Sequence, residues 1–232
     1  MSIINPISRL VEYFRRHGFA ATMSRAMLAG KRAFFASRMA VFYCDLDERK
    51  IRPVNMPVSF AVRRVNALTE LDPNHLQQIA DAWNPTLARK NIVERFEKGA
   101  SLWLVESEKI VAGYGWTLRG NVIAPYYFPL GADDVQLFDF YVFPKFRGRA
   151  MHWLLTGYIL RALAVEGCAR AFADTGEWNK AQLAAFKMTP FRLLGMVKTY
   201  RLLGRSFSHW VSDTPPDLVQ RQIADRRVKA SA

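Results

Sequence analysis

The chain has 232 residues, half of them apolar and 13% aromatic, which is enough to build a core and excludes wholesale disorder. Lys and Arg number 33 against 20 Asp and Glu, for a net charge of +13 and a pI near 10.1, so anionic partners are expected: nucleic acid, a phosphorylated cofactor or an acidic membrane surface. Two cysteines, Cys44 and Cys168, argue against a disulfide framework, and His17, His75, His152 and His209 lack ligand spacing, so no metal site is expected.

From Met1 to Cys44 there are seven basic residues and one acid, Glu12. Pro6 suits a first helical turn, and Ile7, Leu10, Val11 and Phe14 then share one helical face, with Gly18 as a stop. A second helical pattern brings Phe19, Met23, Met27 and Phe34 together. Arg25, Lys31, Arg32 and Arg38 interrupt this apolar stretch, whereas a spanning helix needs about 20 nearly charge-free residues. No signal-peptide pattern stands out, so a cytoplasmic protein is expected. Residues 1–55 therefore read as a basic amphipathic helical extension. It serves either as a cap on the main domain or, through residues 1–44, as a peripheral contact with an anionic membrane or a partner protein.

Pro53, Asn55 and Pro57 read as a linker. Beyond it, residues 58–65 alternate like a strand, 68–83 and 85–98 are helical, and Gly99 ends the second helix. Residues 101–106 and 109–118 look like two strands joined through Ser107 and Glu108. A loop rich in Pro and Tyr, 119–134, precedes an apolar strand at 135–143. A helix (148–166), a strand (169–174), a helix opening near Asn179 and two strands (196–203 and 206–212) follow, with a polar, frayed tail over 213–232. Several strands before a single strand-to-helix crossover imply a mixed α/β sheet.

The most informative segment runs from Phe140 to Ala150. An apolar strand enters a short turn carrying Lys145, Arg147, Gly148 and Arg149, then passes directly into an amphipathic helix. Free amides of a first helical turn carry the positive end of the helix dipole, and a glycine lets an anion approach the backbone. A pyrophosphate is one occupant for such a place; a plain strand-to-helix turn with surface cations is the other reading.

Lys145-x-x-Gly148-x-Ala150 after Val142-Phe143-Pro144 resembles the signature of the GNAT superfamily of acyl-CoA-dependent N-acyltransferases, Gln/Arg-x-x-Gly-x-Gly/Ala after a strand ending in Val-x-Pro. Lys145 departs from the Gln or Arg of that pattern. The segment from Asn179 to Phe191-Arg192-Leu193-Leu194-Gly195-Met196 is similar to the family's last helix and its aromatic-x-x-x-Gly ending. The resemblance covers residues 58–212 and leaves the extension unexplained. It implies a mostly antiparallel mixed sheet flanked by helices, with acetyl-CoA or another acyl-CoA as cosubstrate and a primary amine of a small molecule or sugar as acceptor. It also implies that the pantetheine arm bonds to backbone at Tyr141, Val142 and Phe143, the pyrophosphate rests on amides from Phe146 to Met151, and Asn179 helps hold the pantetheine. From the residues alone, Asn179 is equally a helix N-cap.

Asp139 is the sole residue charged at neutral pH in the apolar run from Leu137 to Phe143. Desolvation there works against a charged carboxylate, which suits a general base, while pairing with an arginine is the structural alternative. Simple alternation places Asp139 with Tyr141 and Phe143, opposite Phe138, Phe140 and Val142. The family's acid, a tyrosine in the last helix, has no clear counterpart, because the two ways of counting reach Phe186 and Phe191. The interval from Asn179 to Gly195 is about five residues longer than the family's pattern, with Thr189-Pro190 expected to begin a new helical turn. Tyr126, Tyr127, Tyr158 and Tyr200 are the substitutes to weigh. The alternative to an acyltransferase is a non-catalytic module that binds CoA or another anion; no nucleic-acid-binding motif is present.

Overall fold

The computed structural model describes residues 37–123, 126–202, 205–212 and 215–230, together with residues 14, 18–19 and 22–23. Eight strands form one sheet in the order β2-β3-β4-β5-β6-β1-β7-β8. They are β1 (Ser37–Asp45), β2 (Ala61–Val65), β3 (Ser101–Ser107), β4 (Ile110–Arg119), β5 (Asp134–Val142), β6 (Arg170–Gly176), β7 (Arg192–Leu202) and β8 (Arg205–Trp210). Every neighbouring pair is antiparallel except β5 with β6, so the expected mixed, mostly antiparallel sheet is present.

The helices start where local chemistry sets them. Asp72 caps α1 (Pro73–Asp81) by accepting from the Asn74 amide, and Asn84 caps α2 (Pro85–Glu97) by accepting from the Leu87 amide, each with proline in the first turn. The helix expected from residue 68 therefore begins at Pro73, after a 3-10 turn at Leu68–Glu70. Gly99, at φ +79, ends α2 in the left-handed conformation that glycine adopts without penalty. Helices α3 (Met151–Val165) and α4 (Lys180–Phe186) cover one face of the sheet, where Leu155, Ile159, Leu163 and Phe186 pack on Phe42, Val105, Leu137 and Ala173. On the other face, α1 and α2 cover β2 to β5 through Ile79, Ile92, Leu104 and Trp116. Beyond them, Phe128 and Val219 of α5 (Asp217–Ala230) lie on Val41, Phe172 and Val197.

Two expectations from sequence are corrected here. Residues 37–45, read as part of a helical extension, form β1, which pairs along its length with both β6 and β7. Both faces of the sheet are covered here, so Val41 and Phe42 on opposite faces are both buried, and the strand reads as a continuous apolar run without the alternation that marks a half-exposed strand. The expected frayed tail also contains helix: Val219 is fully buried, and the Gln222 side-chain amide donates to the buried carboxylate of Asp134. That carboxylate is also held by Arg170 Nε at 2.8 Å. Most of the two helices expected before residue 37 lies outside the described residues. Among the described residues no helix is long and apolar enough to cross a membrane, and no group of His, Cys, Asp and Glu is arranged to hold a metal ion.

Candidate functional site

β5 and β6 run parallel only from Asp134 to Gln136, opposite Arg170 to Phe172. Beyond that point both strands continue without pairing to each other. The cause is a bulge at Asp139, which adopts φ +51. Against β4, Tyr141 lies opposite Tyr114 and Phe138 opposite Trp116, so Asp139 and Phe140 together face Gly115. A bulge bends its strand and sharpens the twist, turning the end of β5 away from β6. Gly115 accommodates it: a Cβ there would come within 2.6 Å of the Phe140 ring.

The bulge also overturns the expected alternation. Phe138 and Tyr141 pack with the α1–α2 cluster, whereas Leu137, Phe140 and Val142 pack with the α3–α4 cluster. Asp139 is not isolated among apolar groups. Its Oδ2 meets Arg95 Nη1 of α2 at 2.5 Å, with the two side chains 33% and 18% exposed, and the guanidinium lies over the rings of Trp116 and Phe138.

The gap between the splayed strands opens into a cavity of about 180 Å³. Its walls include Leu137 to Phe140 of β5, Ala173 to Thr175 of β6, His152 and Thr156 of α3, and Asn179, Gln182 and Phe186 around α4. Residues from both faces of β6 contribute, so the cavity passes between the strands. Phe186 and Phe191, the two positions reached in the search for a family tyrosine, both line it, with their rings edge to face at 5.4 Å. Thr189 does not begin a helical turn; its hydroxyl bonds the Phe186 carbonyl at the end of α4, and β7 follows at Arg192.

The polar lining is organised from the helices. Asn179 is the N-cap of α4, its side chain accepting from the Gln182 amide at 3.2 Å, and it also lines the cavity. The Gln182 side chain meets His152 Nε2 at 2.8 Å. Burial holds the His152 ring neutral, with its pKa down at about 4. His152 Nδ1 and, one turn along α3, the Thr156 hydroxyl are buried without a hydrogen-bond partner. Such orphans are costly, and two of them on one cavity wall suit a polar ligand.

At the far wall stands Asp174, whose carboxyl burial pushes above its ordinary range; Tyr127 donates to its Oδ2 at 2.9 Å. Asp174, His152 and Thr156 did not stand out in the sequence. The available signals were a carboxylate in an apolar strand and two polar residues four apart on an apolar helix.

The turn before α3 carries the residues expected to meet a pyrophosphate. Gly148 (φ +77) and Ala150 (φ +54) are both left-handed, and Ala150, as N-cap, offers no side-chain acceptor to the first helical amides. A Cβ on Gly148 would meet nothing within 4 Å, so the space over the turn is open. The amides of Phe146 and Arg147 already donate to Phe143 and Pro144, and Phe146 is buried. Lys145 and Arg149 flank the Phe146 ring, while Arg147 folds back so that its Nε donates to the Val142 carbonyl at 3.1 Å.

The sequence matches no family model and no curated protein. Its fold is that of the GNAT acetyltransferases. A tandem GNAT protein from the clavulanic acid biosynthesis pathway superposes with a TM-score of 0.52 at 14% identity, covering 82% of this chain and 56% of that one. A GNAT-family acetyltransferase from Colwellia psychrerythraea gives 0.50 at 13% identity, over 75% and 59%. A GCN5-related N-acetyltransferase from Sphaerobacter thermophilus gives 0.50 at 12% identity, over 76% and 54%. The chain thus spans between a half and two thirds of the length of these structures.

Proposed function

We propose that the protein is an N-acyltransferase that moves an acetyl or other acyl group from acyl-CoA to the primary amine of a small molecule or sugar. The observation that carries this reading is the cavity in the β5–β6 splay, continuous with both strands' free edges and lined by two unpartnered buried polar groups. Bound acyl-CoA supplies the activated thioester. The amides of Gly148 to Met151, with Lys145, Arg147 and Arg149 around them, hold the pyrophosphate at the positive end of α3. The backbone of Tyr141 and Val142 holds the pantetheine, with Asn179 on the opposite wall; Phe143 already spends its N–H on the Ala112 carbonyl and its own carbonyl on the Phe146 amide. Arg147 leaves the Val142 carbonyl to meet the pyrophosphate, exchanging a neutral acceptor for a phosphate. The His152 and Thr156 donors meet the polar groups of the arm, and the phenylalanines keep water from the reacting carbon.

The test is thermal melting with CoA, followed by thiol release from acetyl-CoA over a panel of primary amines. Binding to the folded state alone stabilises by about 2.7 kcal/mol at a hundredfold excess over Kd. Gly148→Glu puts a carboxylate over the phosphate seat and abolishes that shift. Equal responses of wild type and variant to millimolar CoA would refute the cofactor assignment. Binding without transfer to any amine makes the protein a non-catalytic CoA-binding module, the second reading, which rests on phenylalanine at both candidate acid positions.

A further inference from the structure

Among the described residues, Asp174 is the acidic residue lining the cavity that meets no cation, since Asp139 is paired with Arg95. It lies on β6 beside Val41 of β1, in the part of the strand that β5 no longer pairs. Among the described residues, two cations of this part of the sheet are engaged elsewhere: Arg170 holds Asp134, and Arg192 holds Asp45. Arg221 of α5 lies with Arg170 and Tyr43, in a separate depression that Asp174 does not line. The titratable neighbours at the cavity are Asp139 on β5, occupied by Arg95, and neutral His152 on α3. From the loop between β4 and β5 come Tyr127, which donates to the carboxylate, and Tyr126, whose ring lies 5.0 Å from that of Tyr127 and whose buried hydroxyl has no partner. A buried carboxylate held by one phenol, with no counter-ion among the described residues, is incomplete without a positive or hydrogen-bond-donating ligand.

We propose that Asp174 is the acceptor-side catalytic residue: it binds the acceptor's primary amine and takes the proton that the nitrogen loses. This rests on the acyltransferase reading above. In the step, the nitrogen lone pair forms the new C–N bond, the thioester C–S bond breaks with its electrons on sulfur, and one N–H proton passes to the Asp174 carboxylate. CoA leaves as the thiolate, and the proton returns to solvent with product. Tyr127 positions the carboxylate and stabilises its charged form, which keeps it a base.

The experiment measures binding of a panel of n-alkyl and arylethyl primary amines to the full chain by calorimetry, with and without CoA, and then turnover against pH. Asp174→Asn is expected to weaken amine binding at least tenfold, to keep the CoA melting shift, and to slow transfer by roughly 10²–10⁴-fold, the usual contribution of a positioned base. The wild-type rate rises with pH as the carboxyl ionises. Tyr127→Phe removes a hydrogen bond to the charged form and moves that rise to higher pH, an effect that a merely structural tyrosine would not produce. Wild-type amine affinity in Asp174→Asn, no amine binding by the wild type, or an unmoved pH profile in Tyr127→Phe overturns the assignment. Loss of the CoA shift in wild type instead removes the acyltransferase reading, which the amine titration without CoA keeps separate.

Discussion

Truncating Phe42 to alanine tests whether β1 belongs to the core. Phe42 is 9% exposed, its ring stacked on Phe186 at 4.3 Å with 15° between the planes, and Phe186 in turn lines the cavity. Removing a buried phenyl group costs about 3–5 kcal/mol through lost transfer energy and the void left behind. The lost stacking falls within that range, since such pairs contribute about 0.5–1.5 kcal/mol beyond their area. For a chain of this size each kcal/mol lowers Tm by roughly 2–4 °C, so a loss of about 4 kcal/mol lowers it by about 8–16 °C. Urea unfolding followed by circular dichroism should show the same loss with an unchanged m-value, because the surface exposed on unfolding barely changes. The companion variant, a chain starting at Pro53, loses all the β1 pairing with β6 and β7 and should not fold, since marginal stability of about 5–15 kcal/mol cannot absorb it. If Phe42→Ala melts with wild type and the truncated chain still folds and responds to CoA, the placement of β1 inside the sheet is wrong.

Asp139→Asn leaves Arg95 unpaired over Trp116 and Phe138; with both side chains partly exposed, the expected loss is about 1–3 kcal/mol, recovered in part by adding Arg95→Met. A stable Asp139→Asn variant with turnover lowered 10²-fold or more would instead make Asp139 the base. Burial depresses the His152 pKa to about 4, so between that value and its ordinary 6.5 the unfolded chain binds the extra proton and stability falls as pH is lowered through the window. Urea midpoints from pH 7 to 4 should therefore fall less steeply in His152→Gln than in wild type, and identical slopes would show that His152 is not buried neutral.

Much of the fold was legible locally. Pro85 opens α2 and Gly99 ends it, and the two apolar runs either side of Ser107 and Glu108 mark β3 and β4. The short strand-to-helix turn from Pro144 to Ala150 is likewise legible from adjacent residues. Every such inference rests on groups a few residues apart, where sterics and capping act without help from the rest of the chain.

Other features depended on partners distant in sequence. Residues 37–45 carry no periodicity that separates a doubly buried strand from a helix, and only pairing with β6 and β7 makes them β1. The bulge that reverses the faces of β5 exists because Gly115 leaves room for the Phe140 ring, and Asp139 finds its cation 44 residues away at Arg95. Asp174 ends an ordinary apolar strand in the sequence. It becomes a candidate base because Tyr127, 47 residues earlier, reaches its carboxylate and because β5 has turned aside from it. Local sequence specifies backbone conformation through short-range sterics and hydrogen bonds. The identity of a buried charge's neighbours, and thus its chemistry, is set only when strands distant in sequence come together in the sheet and exclude water from between them.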